Sequence, residues 1–280
     1  MSNVQIISGK DVALSIRKEL REKIVKEGLN PGLAIVLVGE DPASKLYVKL
    51  KKKAAEEIGI DFHEYLLDSD STTEQIQENI TFLNADTSIH GIVIQLPLPK
   101  GIDEDKVINT IDSKKDADGF HPKNVALYKN GMPYIEPALV QTVMRLIDES
   151  GEDISGKKAV IVANSPVFAE PLLTSFLKRG ATAVFIQKDN RKFSDIIKDS
   201  DVIVIALGVP RIIKDGDCKK GAIVIDVGIN TEDGEICGDV DLPDNLEDIK
   251  NISFITPVPG GVGPVTIAML LKNVVQLSQK

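Results

Sequence analysis

A two-domain α/β protein with parallel strands is the fold that this 280-residue sequence predicts. Three observations predict it. Short apolar runs of strand length alternate with stretches of helical composition. The alternation starts twice, once at Leu33 and again at Lys157. A loop dense in Pro and Gly then leads into one last helix. Strand, helix, strand in repetition requires crossover connections, and those connections make the strands parallel.

Residues 8–27 read as a helix, with Val12, Leu14, Ile16, Leu20 and Ile24 as an imperfect apolar stripe. Pro31 and Gly32 end it, and residues 33–38 form a buried-strand run closed by Gly39. The stretch 47–58 contains no Gly or Pro and has Asp41 and Ser44 upstream as candidate caps, so it reads as a helix. On a wheel of about 100° per residue, Tyr47, Leu50, Ala54 and Ile58 share an apolar arc, and Lys49, Lys52, Lys53 and Glu56 point away. Lys51 falls inside the arc. A lysine there either snorkels to the rim of the core or sits in a cleft with a tuned pKa, ready for proton transfer. Tyr47, one turn back, could offer its ring to a flat substrate.

Residues 62–67 read as a strand, 73–84 as a helix, and 91–96 as a buried strand stopped by Pro97-Leu98-Pro99. Ligands of open α/β sheets sit beyond the carboxyl ends of the strands, where Gly39 and Gln95 lie. Residues 116–120 form a turn-type segment with two carboxylates. Asp118 in such a turn either bonds its own backbone or faces a ligand.

A helix over 136–149 leads to Gly151, and the second series follows, with strands at 159–163, 182–186, 202–206, 222–227 and 254–255. This is a Rossmann-like plan, although G-x-G-x-x-G is absent from its first turn. Ala163-Asn164-Ser165-Pro166 stands there instead. Small residues at 163, 165 and 169 permit close backbone approach, and a helix start nearby could meet a phosphate. Residues 256–266, with Pro257, Pro259, Gly260, Gly261, Gly263 and Pro264, are either a tight connector or a ligand-contacting loop. So many constrained residues favour the second. Pro264 and Thr266 open a final amphipathic helix over 267–277.

Composition narrows the function. Hydrophobic content of 42% and charged content of 27% are those of an ordinary globular chain. A net charge of −9 with no long basic run argues against a nucleic-acid partner. The cluster Lys45, Lys49, Lys51, Lys52 and Lys53 is mostly a solvated helix face that could still meet a small anion. Cys218 and Cys237 have no metal-like spacing and His63, His90 and His121 are scattered, so no metal site is expected. No signal-like start and no membrane-length apolar run are seen, which leads us to expect a cytoplasmic protein with reduced thiols and no membrane partner.

Several segments taken together resemble the bifunctional methylenetetrahydrofolate dehydrogenase/methenyltetrahydrofolate cyclohydrolase family. They are Asp41-Pro42-Ala43-Ser44 with Tyr47-x-x-x-Lys51, Gly91-Ile92-Val93-Ile94-Gln95-Leu96-Pro97-Leu98-Pro99, Lys115-Asp116-Ala117-Asp118-Gly119-Phe120, residues 221–230, Gly238-Asp239-Val240-Asp241, and residues 256–271. The resemblance covers nearly the whole chain in order and spacing. It implies hydride transfer from 5,10-methylenetetrahydrofolate to a nicotinamide cofactor, then hydrolysis of the methenyl product to 10-formyltetrahydrofolate. By the same resemblance Lys51 is the key residue for water addition, Gln95 hydrogen-bonds it, Asp118 holds the pterin and Tyr47 stacks on the aminobenzoyl ring. Lys51, Gln95, Asp118 and Tyr47 are thus the candidate catalytic set, and Pro259, Gly260 and Gly261 join Tyr47 and Asp118 as candidate substrate contacts. Candidate cofactor contacts are Asn164, Ser165, Lys188, Gly208, Ile229 and Thr266. The resemblance also implies a homodimer and tetrahydrofolate derivatives as ligands. It places the folate chemistry in residues 1–140, with 265–280 packing back on them, and the dinucleotide in 141–264.

The departures from the family pattern cluster on the cofactor side. The usual Gly-Arg-Ser is Ala163-Asn164-Ser165, the usual Val-Gly-x-Pro is Phe168-Ala169-Glu170-Pro171, the usual His-Ser-Lys-Thr is Gln187-Lys188-Asp189-Asn190, and the usual Pro-Cys-Thr-Pro is Pro137-Ala138-Leu139-Val140. An arginine can fork onto the 2′-phosphate of NADP, and Asn164 cannot. Lys188 could restore the charge, whereas Asp189 could accept from a free ribose hydroxyl and favour NAD. The expected cofactor is NADP, with NAD possible. Rival readings are a cyclohydrolase with weak or lost dehydrogenase activity, a non-catalytic folate- or nucleotide-binding regulator, and an unrelated Rossmann dehydrogenase acting on shikimate or an amino acid.

Overall fold

The computed structural model describes residues 4–243 and 245–280. In chain order its first elements are β1 (Gln5–Ile6), α1 (Gly9–Glu27), β2 (Gly32–Val38), α2 (Pro42–Ile58), β3 (Asp61–Leu67), α3 (Thr73–Ala85), β4 (Gly91–Ile94), α4 (Glu104–Thr110), α5 (Pro122–Lys129) and α6 (Ala138–Glu149). The second series is β5 (Lys158–Ala163), α7 (Pro166–Lys178), β6 (Thr182–Ile186), α8 (Phe193–Asp199), β7 (Val202–Ala206), β8 (Ile213–Lys214), β9 (Ala222–Asp226), β10 (Asn230–Glu232), β11 (Glu235–Cys237), β12 (Val240–Asp241), β13 (Ile252–Ile255) and α9 (Val262–Leu277). Contacts divide the chain into two units. One gathers the chain up to Ala13 with Val140–Thr266, and the other gathers Leu14–Leu139 with Ile267–Lys280.

The unit containing Leu14–Leu139 is built on a parallel sheet in the order β3-β2-β4. All seven residues of β2 are buried, as expected of a strand with both sheet faces covered. Edge strand β3 shows an exposed-to-half-buried alternation instead. Ala34, Val36, Ile76, Ile80, Leu83, Ile92 and Val107 form part of one core cluster here. Helix α2 follows β2 through Gly39. Asp41 caps it by accepting the Ser44 N–H at 2.7 Å, and Pro42 opens its first turn, where a missing amide costs nothing. Helix α3 starts on a reciprocal capping box between Thr72 and Gln75.

The other unit carries a six-stranded parallel sheet in the order β1-β13-β9-β7-β5-β6. The chain leaves β5 for β6 on one side and returns to β7 on the other, so a topological switch point lies between β5 and β7. In this register Val160 lies between Val184 and Ile203, and the inner strands β5, β7 and β9 bury continuous Val and Ile runs, whereas Val184 on edge strand β6 is 49% exposed.

Several expectations need correction. The buried stripe of α2 comprises Ser44, Val48, Ala54, Ala55 and Ile58, whereas Leu50 is 45% exposed. Only one side of this helix is covered, so a leucine off that side stays in water. On α1 Leu14 is 60% exposed and Ala13 takes its place in the buried stripe. The last helix begins at Val262, not Ile267, because Pro264 is tolerated in a first turn. It is buried nearly all round, with Lys272 and Gln276 the exposed positions between Val265 and Leu277, so it is a core helix and not an amphipathic one. Residues 5–6 join the dinucleotide-type sheet beside β13, with Ile7 N–H donating to Ile255 O at 2.8 Å.

Candidate active site

Lys51 stands on the buried stripe of α2, one turn after Val48 and one turn before Ala55. Its Nζ donates to Gln95 Oε1 at 2.9 Å. Gln95 sits just past β4, anchored by its own N–H on Val36 O at 2.9 Å. Its amide nitrogen is fixed on Leu96 O at 2.7 Å, which turns the amide oxygen toward the lysine. Both Lys51 and Asp118 keep some exposed area while their charged ends are recessed among protein atoms. Burial pulls the Lys51 ammonium below the ordinary lysine value, and the nearby Asp118 carboxylate partly opposes that. Burial pushes the Asp118 carboxyl up to about 6, opposed by Lys51 and assisted by Asp116. Tyr47 lies one turn before Lys51 on the same face, half-buried, and burial raises its phenol.

The turn that presents Asp118 is organised by Asp116, a residue to which the sequence reading assigned no role. Asp116 is buried and accepts from Gly119 N–H at 3.0 Å, His121 N–H at 2.9 Å and Asn124 Nδ2 at 2.9 Å. The backbone-bonding role considered for Asp118 belongs to Asp116, which leaves the Asp118 carboxyl to face the lysine. From α9, Asn273 donates to Ala117 O at 2.8 Å and Glu136 O at 3.0 Å. It is 0% exposed in an otherwise apolar run. An asparagine on the core side of a helix was the one signal that could have flagged it. Gly119 has φ +79°, and a Cβ there would lie 2.6 Å from Pro137 Cα. Gly119→Ala therefore meets both backbone strain and a clash, and we expect a cost of about 2–3 kcal/mol in urea unfolding. A loss below about 0.5 kcal/mol would show that the turn relaxes freely.

Pro259, Gly260 and Gly261 lie in the other unit, in the loop before α9. Gly260 O accepts the Lys10 N–H at 3.2 Å. A Cβ on Gly261 would lie 2.5 Å from Pro257 O, so the loop's own packing already requires that glycine. The described residues thus join Lys51, Gln95, Asp118 and Tyr47 in one unit, and the loop is a separate feature of the second.

The cofactor candidates all fall in the second unit, of which Thr266 is the last residue. Ser165 caps α7 by accepting Val167 N–H at 3.2 Å, and Pro166 follows at the first helical position. Asn164 Nδ2 donates to Leu207 O at 2.8 Å, and Gln187 Nε2 donates to Asn164 O at 2.9 Å. Asn164, Gln187, Lys188 and Asp189 line an open depression of about 460 Å³. Gly208 has φ +64° and donates to Asp239, and Ile229 is exposed. The Thr266 hydroxyl bonds Val262 O at 3.1 Å inside α9, so it does not cap that helix. Among the described residues no cluster of metal-binding side chains occurs, and no helix is long and apolar enough to cross a membrane.

A recessed lysine in one α/β unit, and in a Rossmann-like second unit a strand-order switch point with a depression at the strands' carboxyl ends, define a dinucleotide-dependent α/β enzyme. Residues 7–118 match the model of the tetrahydrofolate dehydrogenase/cyclohydrolase catalytic domain, and residues 137–280 match that of the family's NAD(P)-binding domain. The chain belongs to the tetrahydrofolate dehydrogenase/cyclohydrolase family. It is 44% identical to the bifunctional protein FolD of Acetivibrio thermocellus over 98% of this chain and 97% of that one. The bifunctional FolD methylenetetrahydrofolate dehydrogenase/cyclohydrolase of Campylobacter jejuni superposes with a TM-score of 0.91 at 40% identity, covering 99% of both chains. The Trypanosoma brucei enzyme, complexed with NADP cofactor and inhibitor, gives a TM-score of 0.93 at 34% identity, covering 100% of this chain and 98% of that one.

Proposed function

We propose that this enzyme oxidises 5,10-methylenetetrahydrofolate to the methenyl cation with NADP, then hydrolyses that cation to 10-formyltetrahydrofolate. The observation that carries the reading is the Lys51–Gln95 hydrogen bond beside the recessed Asp118 carboxyl. Asp118 accepts paired N–H bonds from the amino-pyrimidine edge of the pterin, and Tyr47 offers its ring to the aminobenzoyl group. Lys51, with its proton affinity lowered by burial, is neutral more readily than a surface lysine and takes a proton from the attacking water. Gln95 keeps the amine aimed. Ring opening of the hydrated carbon then leaves the formyl group on N10. Pro259, Gly260 and Gly261 are assigned to the same substrate, residues 1–140 (apart from the opening segment that pairs with β13) with 265–280 to the folate chemistry, and 141–264 to the dinucleotide.

The second unit fits a dinucleotide on its own chemistry. A capped helix start at Ser165 stands at the first turn, and Lys188 lies on a depression that it lines together with the Asn164 and Gln187 amides and the Asp189 carboxyl. NADP, when bound, supplies the hydride acceptor. Asn164 commits its amide to Leu207 O, which leaves Lys188 as the group for a 2′-phosphate. The reading extends to a homodimer and to the cytoplasm; the free thiols Cys218 and Cys237 are consistent with a reducing compartment.

The test is oxidation of methylenetetrahydrofolate with NADP and NAD in parallel, following methenyl appearance and decay. Oxidation with decay faster than the uncatalysed rate is expected. No oxidation, with accelerated hydrolysis of added methenyltetrahydrofolate, would support the cyclohydrolase rival. Lys188→Ala should raise the KM for NADP about tenfold, worth about 1.4 kcal/mol, and leave that for NAD within about twofold. Equal effects on the two cofactors would remove the 2′-phosphate role of Lys188.

A further inference from the structure

Four adjacent parallel strands of the second unit, in the order β9-β7-β5-β6, are laced together just beyond their carboxyl ends. Gln187, past β6, holds the Asn164 carbonyl, and Asn164, past β5, holds the Leu207 carbonyl past β7. From Leu207 the lacing passes to Asp239, which is 0% exposed. Its Oδ2 accepts Leu207 N–H at 2.6 Å and Gly208 N–H at 3.2 Å. Its Oδ1 accepts Val209 N–H at 2.9 Å and Asn230 Nδ2 at 2.9 Å. A second buried carboxylate fixes Asp239 itself. Asp226, at the end of β9, accepts from Gly228 N–H, Asp239 N–H and Val240 N–H at 2.9–3.2 Å.

This arrangement is built around the carboxylates. A Cβ on Gly228 would lie 2.2 Å from Asp239 Cγ, and one on Gly238 would lie 2.0 Å from Asp226 Oδ2. A buried carboxylate is costly unless hydrogen bonds meet it, and here backbone amides do so. Three successive amides converging on one carboxyl fix the course of residues 207–209, including the left-handed turn at Gly208. That segment follows the carboxyl end of β7, beside the point between β5 and β7 where strand order reverses, which is where ligands of such sheets enter.

We propose that Asp239 is the positioning residue of the dinucleotide site. It does not touch the cofactor. It holds the 207–209 loop in the shape that does, and Asn164 is part of the same lacing and not a direct phosphate contact. The inference rests on the reading that this unit binds NADP.

The experiment titrates NADP into the full-length wild type, Asp239→Ala and Asp239→Asn, and measures steady-state KM for NADP and for methylenetetrahydrofolate. Asp239→Ala should weaken NADP binding about tenfold or more, with the folate KM within about twofold. Asp239→Asn keeps one acceptor oxygen and should recover part of the loss. Should Asp239→Ala not fold, Asp239→Asn and Asn230→Ala, which removes a single donor, are each expected to lose about threefold in NADP affinity. NADP affinity unchanged in every folded variant would overturn the proposal. Equal rises in both KM values would also overturn it, because a general loosening moves both. A wild type that binds no NADP would instead overturn the cofactor reading on which the inference stands.

Discussion

Lys51→Met is expected to abolish methenyl hydrolysis, with kcat falling about 10³-fold, within the range for loss of a positioned base. Met has the length of the lysine stem without the amine, so the helix stripe should pack as before. Folding stability should hold where Asp118 is protonated and fall as it ionises, because the ammonium's desolvation cost is gone but the recessed carboxylate has lost its cationic neighbour. The substitution has a second effect. Lys51 opposes the upward shift of Asp118, so without it the Asp118 carboxyl moves higher still. At neutral pH part of the folate affinity would then be lost for a reason unrelated to water activation. The measurement is therefore kcat at saturating methenyltetrahydrofolate at about pH 8, above the wild-type Asp118 value of about 6, so that weakened binding does not enter the comparison. Wild-type hydrolysis should increase with pH as Lys51 deprotonates, and the variant should lack that rise. Normal hydrolysis by a folded Lys51→Met protein would remove the central claim of the mechanism.

The parts of this protein legible in the sequence are those set by nearest-neighbour pattern. The seven buried residues of β2 read as a strand because nothing polar interrupts them. Lys51 was visible as an anomaly because helical periodicity alone puts it on the stripe. Leu50 was misread because the wheel says which residues share a face, but not how wide a covered face is. Helices α4 and α5, of 7 and 8 residues, carry too few turns for a periodic signal. The role of Asp118 came from the family resemblance, and its neighbour shows why composition could not supply it. Which of two carboxylates in one turn bonds the backbone depends on turn geometry, and Asp116 takes that part. Asn273 is marked by its place on the core side of a helix and Asp239 by the recognisable segment 238–241, but both act on partners distant in the chain, so no local pattern gives their roles.

Asp118→Ala should weaken binding of folate substrates about 100-fold or more, since two charge-assisted hydrogen bonds at ~1.5–3 kcal/mol each are lost. NADP affinity should be unaffected, which separates this variant from a folding defect. In the wild type the Asp118 carboxyl, raised to about 6 by burial, accepts the paired, charge-assisted hydrogen bonds on both oxygens only when ionised. Folate affinity should therefore hold above about pH 6 and fall below it. Stability runs the other way. A carboxyl whose folded pKa lies above its unfolded value contributes stability that is full below about pH 4 and lost as pH rises through about 6. The ionisation that prepares Asp118 for the pterin is thus the one that strains the ligand-free fold. Asp118→Asn separates the two effects, because it is isosteric and cannot ionise. Its melting temperature should gain on that of the wild type as pH rises from about 4 to about 7, while its folate affinity stays poor and loses its pH dependence. Loss of the anionic neighbour of Lys51 acts in the same direction, since a lysine with less anionic support deprotonates more readily as pH rises. A melting difference that is flat across this range would show that Asp118 is no more costly to ionise in the fold than in the unfolded chain. Unchanged folate affinity in Asp118→Ala would end its assignment to the pterin.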